Sequence, residues 1–111
     1  ADLAAVGDIT IANRTGMALD LLRDVTASLR GAAVDATGAA AVDYLRLFAL
    51  VAMGWMWTRM AVAATDDTSQ HAGKRAVADF FAERVLSQAQ GLANGIAAGE
   101  RTIMALGADA F

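Results

Sequence analysis

The chain of 111 residues contains no cysteine and no proline. Without cysteine it can form neither a disulfide nor a thiolate metal site, so redox chemistry does not fix its compartment, and a reducing cytoplasm is the default expectation. Proline would break helices, whereas alanine, the best helix former, is abundant here. The composition therefore predicts an all-α protein.

Charge is also scarce. Charged residues make up 19% of the chain against 57% hydrophobic residues, and the formal net charge is -3. Nucleic acids and anionic lipid headgroups are bound through clustered Lys and Arg. We therefore expect neither nucleic acid nor a membrane as a partner.

The chain is organised around residues 43–60, DYLRLFALVAMGWMWTRM, which carry no charge between Arg46 and Arg59. Helical spacing places the large side chains in two stripes on opposite faces. The first stripe is Tyr44, Phe48, Val51, Trp55 and Val62, and the second is Arg46, Leu50, Met53, Trp57 and Met60. A helix that is apolar all round must be covered all round. Because the uncharged run spans only 12 residues, short of the about 20 that cross a bilayer, we interpret it as a buried core helix.

Three long helices are predicted. The first covers residues 2–30, buries a stripe from Ile11 to Leu29, and stops at Gly31. The second starts with Thr37 as its N-cap and runs to about Ala64. A polar turn over residues 65–69 then leads into a third helix, from near His71 to about Leu106 with a bend near Ser87. We expect one domain over residues 1–111, an up-down antiparallel bundle of three long helices whose third is kinked or split into a fourth.

Three glycines in the third helix repeat every four residues: Gly91, Gly95 and Gly99. This spacing lets helix backbones approach closely. In a soluble bundle it predicts close packing between helices.

No set of residues points to catalysis. His71 near Asp66 and Asp67 offers too few ligands for a metal, and Asp79, Glu83 and Glu100 have no visible partner that would tune a general base. Arg46 and Arg59 are expected to pair or to extend toward solvent rather than to bind an anion. We expect no catalytic, cofactor-binding or metal-binding residue.

Three blocks of the chain resemble a known family: DYLRLFALVAMGWMW at 43–57, KRAVADFFAERVL at 74–86 and ANGIAAGERTIMAL at 93–106. They are similar to the acetyl-CoA dehydrogenase C-terminal-like domain, an extra module of some acyl-CoA dehydrogenases. Many members carry a proline where this chain has Ser87. The resemblance is weakest over the first 35 residues.

The resemblance implies a parent flavoenzyme that uses FAD to oxidise acyl-CoA thioesters to 2-enoyl-CoA, as a dimer or higher oligomer. FAD and the catalytic glutamate would belong to preceding domains, and neither Glu83 nor Glu100 matches that glutamate. The lack of an initiator Met at Ala1 leads us to expect a fragment from the C-terminus of such an enzyme.

We therefore expect a non-catalytic domain that packs on the dehydrogenase core or on another subunit. The interface candidates all lie on the second helix: Tyr44, Phe48, Leu50, Met53, Trp55, Trp57 and Met60. As a fragment, the chain is expected to dimerise through the second stripe. The alternatives are a bundle that lines the acyl-CoA pocket and a free-standing helical adaptor.

Overall fold

The computed structural model describes residues 10–66, 68–107 and 109, and these residues form helices and turns without a strand. The elements are α1 (Thr10–Arg30), α2 (Val34–Ala63), α3 (Ser69–Phe80), a π-helical turn (Phe81–Val85), a 3₁₀ turn (Leu86–Gln88) and α4 (Ala89–Ala98). The all-α bundle with a composite third helix is confirmed. The start predicted for the first helix, at residues 2–9, lies outside the described residues.

The start of α2 differs from the prediction. Ala33 is its N-cap and contributes no side-chain hydrogen bond, whereas Thr37 lies one turn inside and donates its hydroxyl to the Ala33 carbonyl at 3.2 Å. The expectation that Thr37 caps this helix is wrong. Asp35 in the first turn favours the earlier start, because a carboxylate stabilises the positive end of the helix dipole.

The third helix is interrupted where a bend was predicted. The Leu86 amide donates to the Phe81 carbonyl, a π-type bond, and a 3₁₀ turn follows over Leu86–Gln88. This break therefore forms with serine at position 87 and without a proline.

The helix also ends earlier than predicted. Gly99 has a φ of 71° and closes α4 at Ala98, because only glycine adopts this backbone conformation readily. The predicted extension to Leu106 is therefore wrong, and Ile103 and Leu106 are exposed instead of continuing the buried face.

The core side of α2 lies between the two predicted stripes. Its buried residues are Ala40, Leu47, Leu50, Val51, Gly54, Thr58 and Ala61. Of the two stripes only Val51 and Leu50, one from each, are buried. The expectation that α2 is covered all round is not met within this chain.

Small residues bring α1 and α2 together. A Cβ added at Gly54 would lie 2.5 Å from Thr15 Oγ1 and 3.3 Å from Leu86 Cδ1. Of the three glycines predicted to pack closely, only Gly95 does so, against Asp43, while Gly91 and Gly99 have no atom within 4 Å of such a Cβ. The close helix contact is therefore at Gly54.

The bundle is flat. Its principal extents are 64 × 29 × 15 Å and its radius of gyration is 17.5 Å, against about 13 Å for a compact domain of this length. A plate one to two helices thick covers α2 on one side only. The outward side of the helix pair α1 and α2 is left open.

Candidate docking surface

An apolar ridge runs along α2 opposite its buried side. We call it the outer seam and define it by residues that recur at spacings of three and four: Val42, Leu45, Ala49, Ala52, Met56 and Arg59. All six are exposed, and Leu45 retains 68% of its accessible surface. A strict alternation of three and four is the spacing of a coiled-coil contact. The outer seam is thus an unpaired helix-packing surface.

Large side chains flank the outer seam. Phe48 and Trp55, 54% and 39% exposed, lie along one edge, and Met53 lies along the other. The Arg59 guanidinium carbon lies 4.9 Å from the centre of the Trp55 ring, within cation–π range. Arg59 therefore covers one end of the seam while its charged group stays in solvent.

The seven interface candidates fall into three groups. Leu50 is buried inside the chain, whereas Tyr44, Trp57 and Met60 are partly buried, with Tyr44 and Trp57 packed against the core. The remaining three, Phe48, Met53 and Trp55, are exposed beside the outer seam. The structure thus brings these three together on one surface and separates them from Leu50.

A groove runs between α1 and α2 next to Phe48. Its wider part has a volume of about 590 Å³ and a second part measures about 310 Å³. The lining is mainly apolar: Leu19, Leu22, Leu29, Ala41, Leu45, Phe48, Val51, Ala52 and Trp55. Polar groups gather at the end near the α1–α2 connection, where Thr26, Thr37 and Tyr44 line the groove together with Arg30.

A hydrogen-bond chain fixes Tyr44 in this groove. The Thr26 hydroxyl donates to the Leu22 carbonyl at 2.7 Å and lies 2.7 Å from the Tyr44 hydroxyl. Thr26 has only one proton to donate, so Tyr44 is the donor in the second bond. The Tyr44 hydroxyl therefore has no free proton to donate to a group in the groove.

The corner between α2 and α3 holds the predicted polar cluster. Asp66 accepts from the Thr68 hydroxyl at 2.7 Å and the Thr68 amide at 3.0 Å, and these bonds lower the pKa of its carboxyl below the ordinary value of 3.8. His71 Nδ1 lies 2.8 Å from Asp66, and Arg75 donates to the carbonyls of Ala64 and Asp66. Thr68 also accepts from the His71 amide and so caps α3. The corner cluster ends one helix and starts the next.

Within residues 10–66, 68–107 and 109, no three His, Cys, Asp or Glu side chains are grouped to hold a metal ion. Of the acidic residues considered as bases, Asp79 and Glu83 are exposed and Glu100 is partly buried. None of the three lines the groove described above. Arg59 lies over Trp55, and Arg46 is exposed.

Two residues at the contact between α1 and α2 were not singled out from the sequence. Thr15 of α1 is fully buried, and its hydroxyl has no hydrogen-bond partner among the described residues. Gly54 of α2 faces it across the helix contact. A glycine inside an otherwise apolar helical run is the sequence signal that marks such a contact.

By length and composition alone, α2 is also the one helix in the described part of the chain that could cross a membrane. Its most apolar window has a mean hydropathy of 1.4 and is 22% buried. Core helices of soluble proteins meet the same criterion, so this is weak evidence.

These features define an all-α bundle with an exposed apolar face along α2. Comparison with protein families shows that residues 4–107 match the family described as acetyl-CoA dehydrogenase C-terminal like. The chain belongs to this family, and the match includes residues 4–35, within the part of the chain where the resemblance was weakest. Comparisons with curated proteins and with solved structures gave no significant match.

Proposed function

We propose that this chain is a non-catalytic helical domain of an FAD-dependent acyl-CoA dehydrogenase, and that it packs on the dehydrogenase domains or on another subunit. The observation that carries the proposal is the exposed outer seam with its flanking residues Phe48, Met53 and Trp55. Large exposed apolar patches on a protein surface mark sites of interaction with a partner. FAD and substrate would be held by the other domains.

The composition of the surface supports a protein partner. Met, Phe and Trp are enriched at the centres of protein interfaces, where charged residues are depleted. The outer seam has one charged member, Arg59, and it lies toward the C-terminal end of α2. A partner can therefore cover most of the seam without burying an unpaired charge.

The proposal is tested in the parent enzyme that carries this domain. The wild-type enzyme is expected to assemble as an oligomer, measured by light scattering. The variant Leu45→Asp with Met56→Asp should lose this assembly, because each aspartate would be desolvated on docking. Ala76→Asp, which also changes an exposed helical residue, is the control. Equal assembly of all three enzymes would contradict the proposal.

A second role is favoured by the α1–α2 groove, which combines an apolar trough with Arg30 at one end. Such a groove can hold an apolar chain with an anionic head, so the domain would shape the acyl-CoA pocket. Deleting the domain separates the two roles. Lost assembly with unchanged chain-length preference supports docking, and altered preference in an intact oligomer supports the pocket role.

A further inference from the structure

We infer that the outer seam of α2 pairs with the outer seam of α2 in a second copy of this chain. The two helices run antiparallel about a two-fold axis between Ala49 and Ala52. This inference rests on the proposed function, since it names the partner of the same surface.

The order of side-chain sizes along the seam is self-complementary. The side chains at its centre, Ala49 and Ala52, are small. The next side chains outward along the helix, Leu45 and Met56, are large. In the antiparallel pair Ala49 lies level with Ala52 of the second copy, and Leu45 lies level with Met56. A two-fold contact requires such a match, because one patch must fit itself. Small central residues also let the backbones approach closely.

The same two-fold axis also brings the flanking aromatic residues of the two copies together. Phe48 and Trp55 lie on one edge of the seam, at positions seven residues apart. Antiparallel pairing places Phe48 of one copy beside Trp55 of the other, and aromatic pairs of this kind add stability beyond the area they bury. Arg59 is left at either end of the contact, where its guanidinium remains in solvent.

The available area is sufficient for a dimer. Val42, Leu45, Phe48, Trp55 and Met56 are between 39% and 68% exposed. With Met53 and the two central alanines they offer roughly 700 Å² per copy, close to the about 800 Å² that each partner contributes to a standard interface.

Sedimentation velocity of the 111-residue chain tests the inference. The wild type is expected to be a dimer at roughly 100 μM, a concentration that detects micromolar affinity. Ala52→Glu should weaken dimerisation at least about tenfold, because it places two carboxylates at the centre of the contact. Ala76→Glu, an exposed alanine on α3 changed to the same residue, should leave the dimer intact. Circular dichroism checks that each variant keeps its helices.

Cysteine pairing tests the axis itself, since the natural chain has no thiol. An equimolar mixture of Ala49→Cys and Ala52→Cys chains should form disulfide-linked dimers faster than either chain alone. Ser87→Cys, at an exposed position away from the seam, gives the background rate.

Three results would overturn the inference. They are a folded monomer at this concentration, equal cross-linking in all samples, and binding to phosphatidylcholine vesicles that Ala52→Glu abolishes, which would assign the seam to a bilayer. A monomeric 111-residue chain, together with a parent enzyme that loses assembly when Leu45→Asp and Met56→Asp are introduced, would remove the inference and leave the proposed function standing.

Discussion

The inner and outer sides of α2 are both apolar, yet they are built differently. The inner side combines Leu47 and Leu50 with Gly54, which lies against Thr15 of α1, and it is buried. The outer seam contains leucine, methionine and alanine but no glycine, and it is exposed. Close packing between helices depends on shape as well as on hydrophobicity. In this helix the close contact at Gly54 marks the inward face, because both sides are apolar.

The sharpest test of this contrast compares two leucines two residues apart. Leu47 is fully buried, so Leu47→Ala should lower the free energy of unfolding by about 2–5 kcal/mol. Leu45→Ala should change it by less than about 0.5 kcal/mol, because Leu45 is exposed. Urea unfolding followed by circular dichroism measures both, at a concentration where the variants are monomeric. Similar losses for the two variants would show that the sides are assigned wrongly.

A pair of glycines tests the role of shape. In Gly54→Ala the new methyl group would meet Thr15 Oγ1 at 2.5 Å, and overpacking of this kind costs about 1–3 kcal/mol. Gly91→Ala adds a methyl group in open space on α4 and should stabilise the chain by up to about 1 kcal/mol. Thermal unfolding of both variants shows whether each substitution raises or lowers the stability of the chain. A stabilising Gly54→Ala would mean that α1 and α2 are not in close contact.

Removing the Tyr44 hydroxyl, which lies at the edge of the groove, should change stability less than the substitutions at Leu47 and Gly54. Its hydrogen bond to Thr26 is partly buried, so Tyr44→Phe should cost about 0.5–1.5 kcal/mol. Thr26→Ser keeps the acceptor and serves as the control. If Tyr44→Phe is neutral while Thr26→Ser is destabilising, the methyl group of Thr26 matters and the hydrogen bond does not.

The helices could be predicted from the sequence because periodicity reports local structure. The predicted stripe of α1 is buried at Ile11, Leu22 and Val25. The inward side of α2 could not be found in this way, since a helix apolar on every side leaves its orientation undetermined. Contacts such as Gly54 with Thr15 decide it, and they depend on tertiary packing.

Only part of the candidate surface could be predicted, because the sequence identifies the apolar helix but not which of its sides faces inward. Large apolar residues on α2 identified the helix, and Phe48, Met53 and Trp55 lie at its exposed surface. The sequence did not show that Leu50 packs inward, nor that Gly99 would end α4 before Ile103. The first depends on which neighbour covers α2, and the second on a backbone conformation open to glycine.

The smallest predicted change in stability comes from Asp66, in the corner between α2 and α3. Its dependence on pH gives a test. Hydrogen bonds from Thr68 hold the pKa of Asp66 below 3.8, so the ionised carboxyl stabilises the folded chain at higher pH. This contribution is lost as pH falls through the lowered pKa, because protonation removes the charged acceptor. Asp66→Asn should therefore reduce the urea midpoint slightly near pH 7 and leave it progressively closer to that of the wild type as pH falls below 3.8. Asp79→Asn is the matched control for the change in net charge. A difference that persisted or grew at low pH would mean that Asp66 acts through its shape and not through its charge.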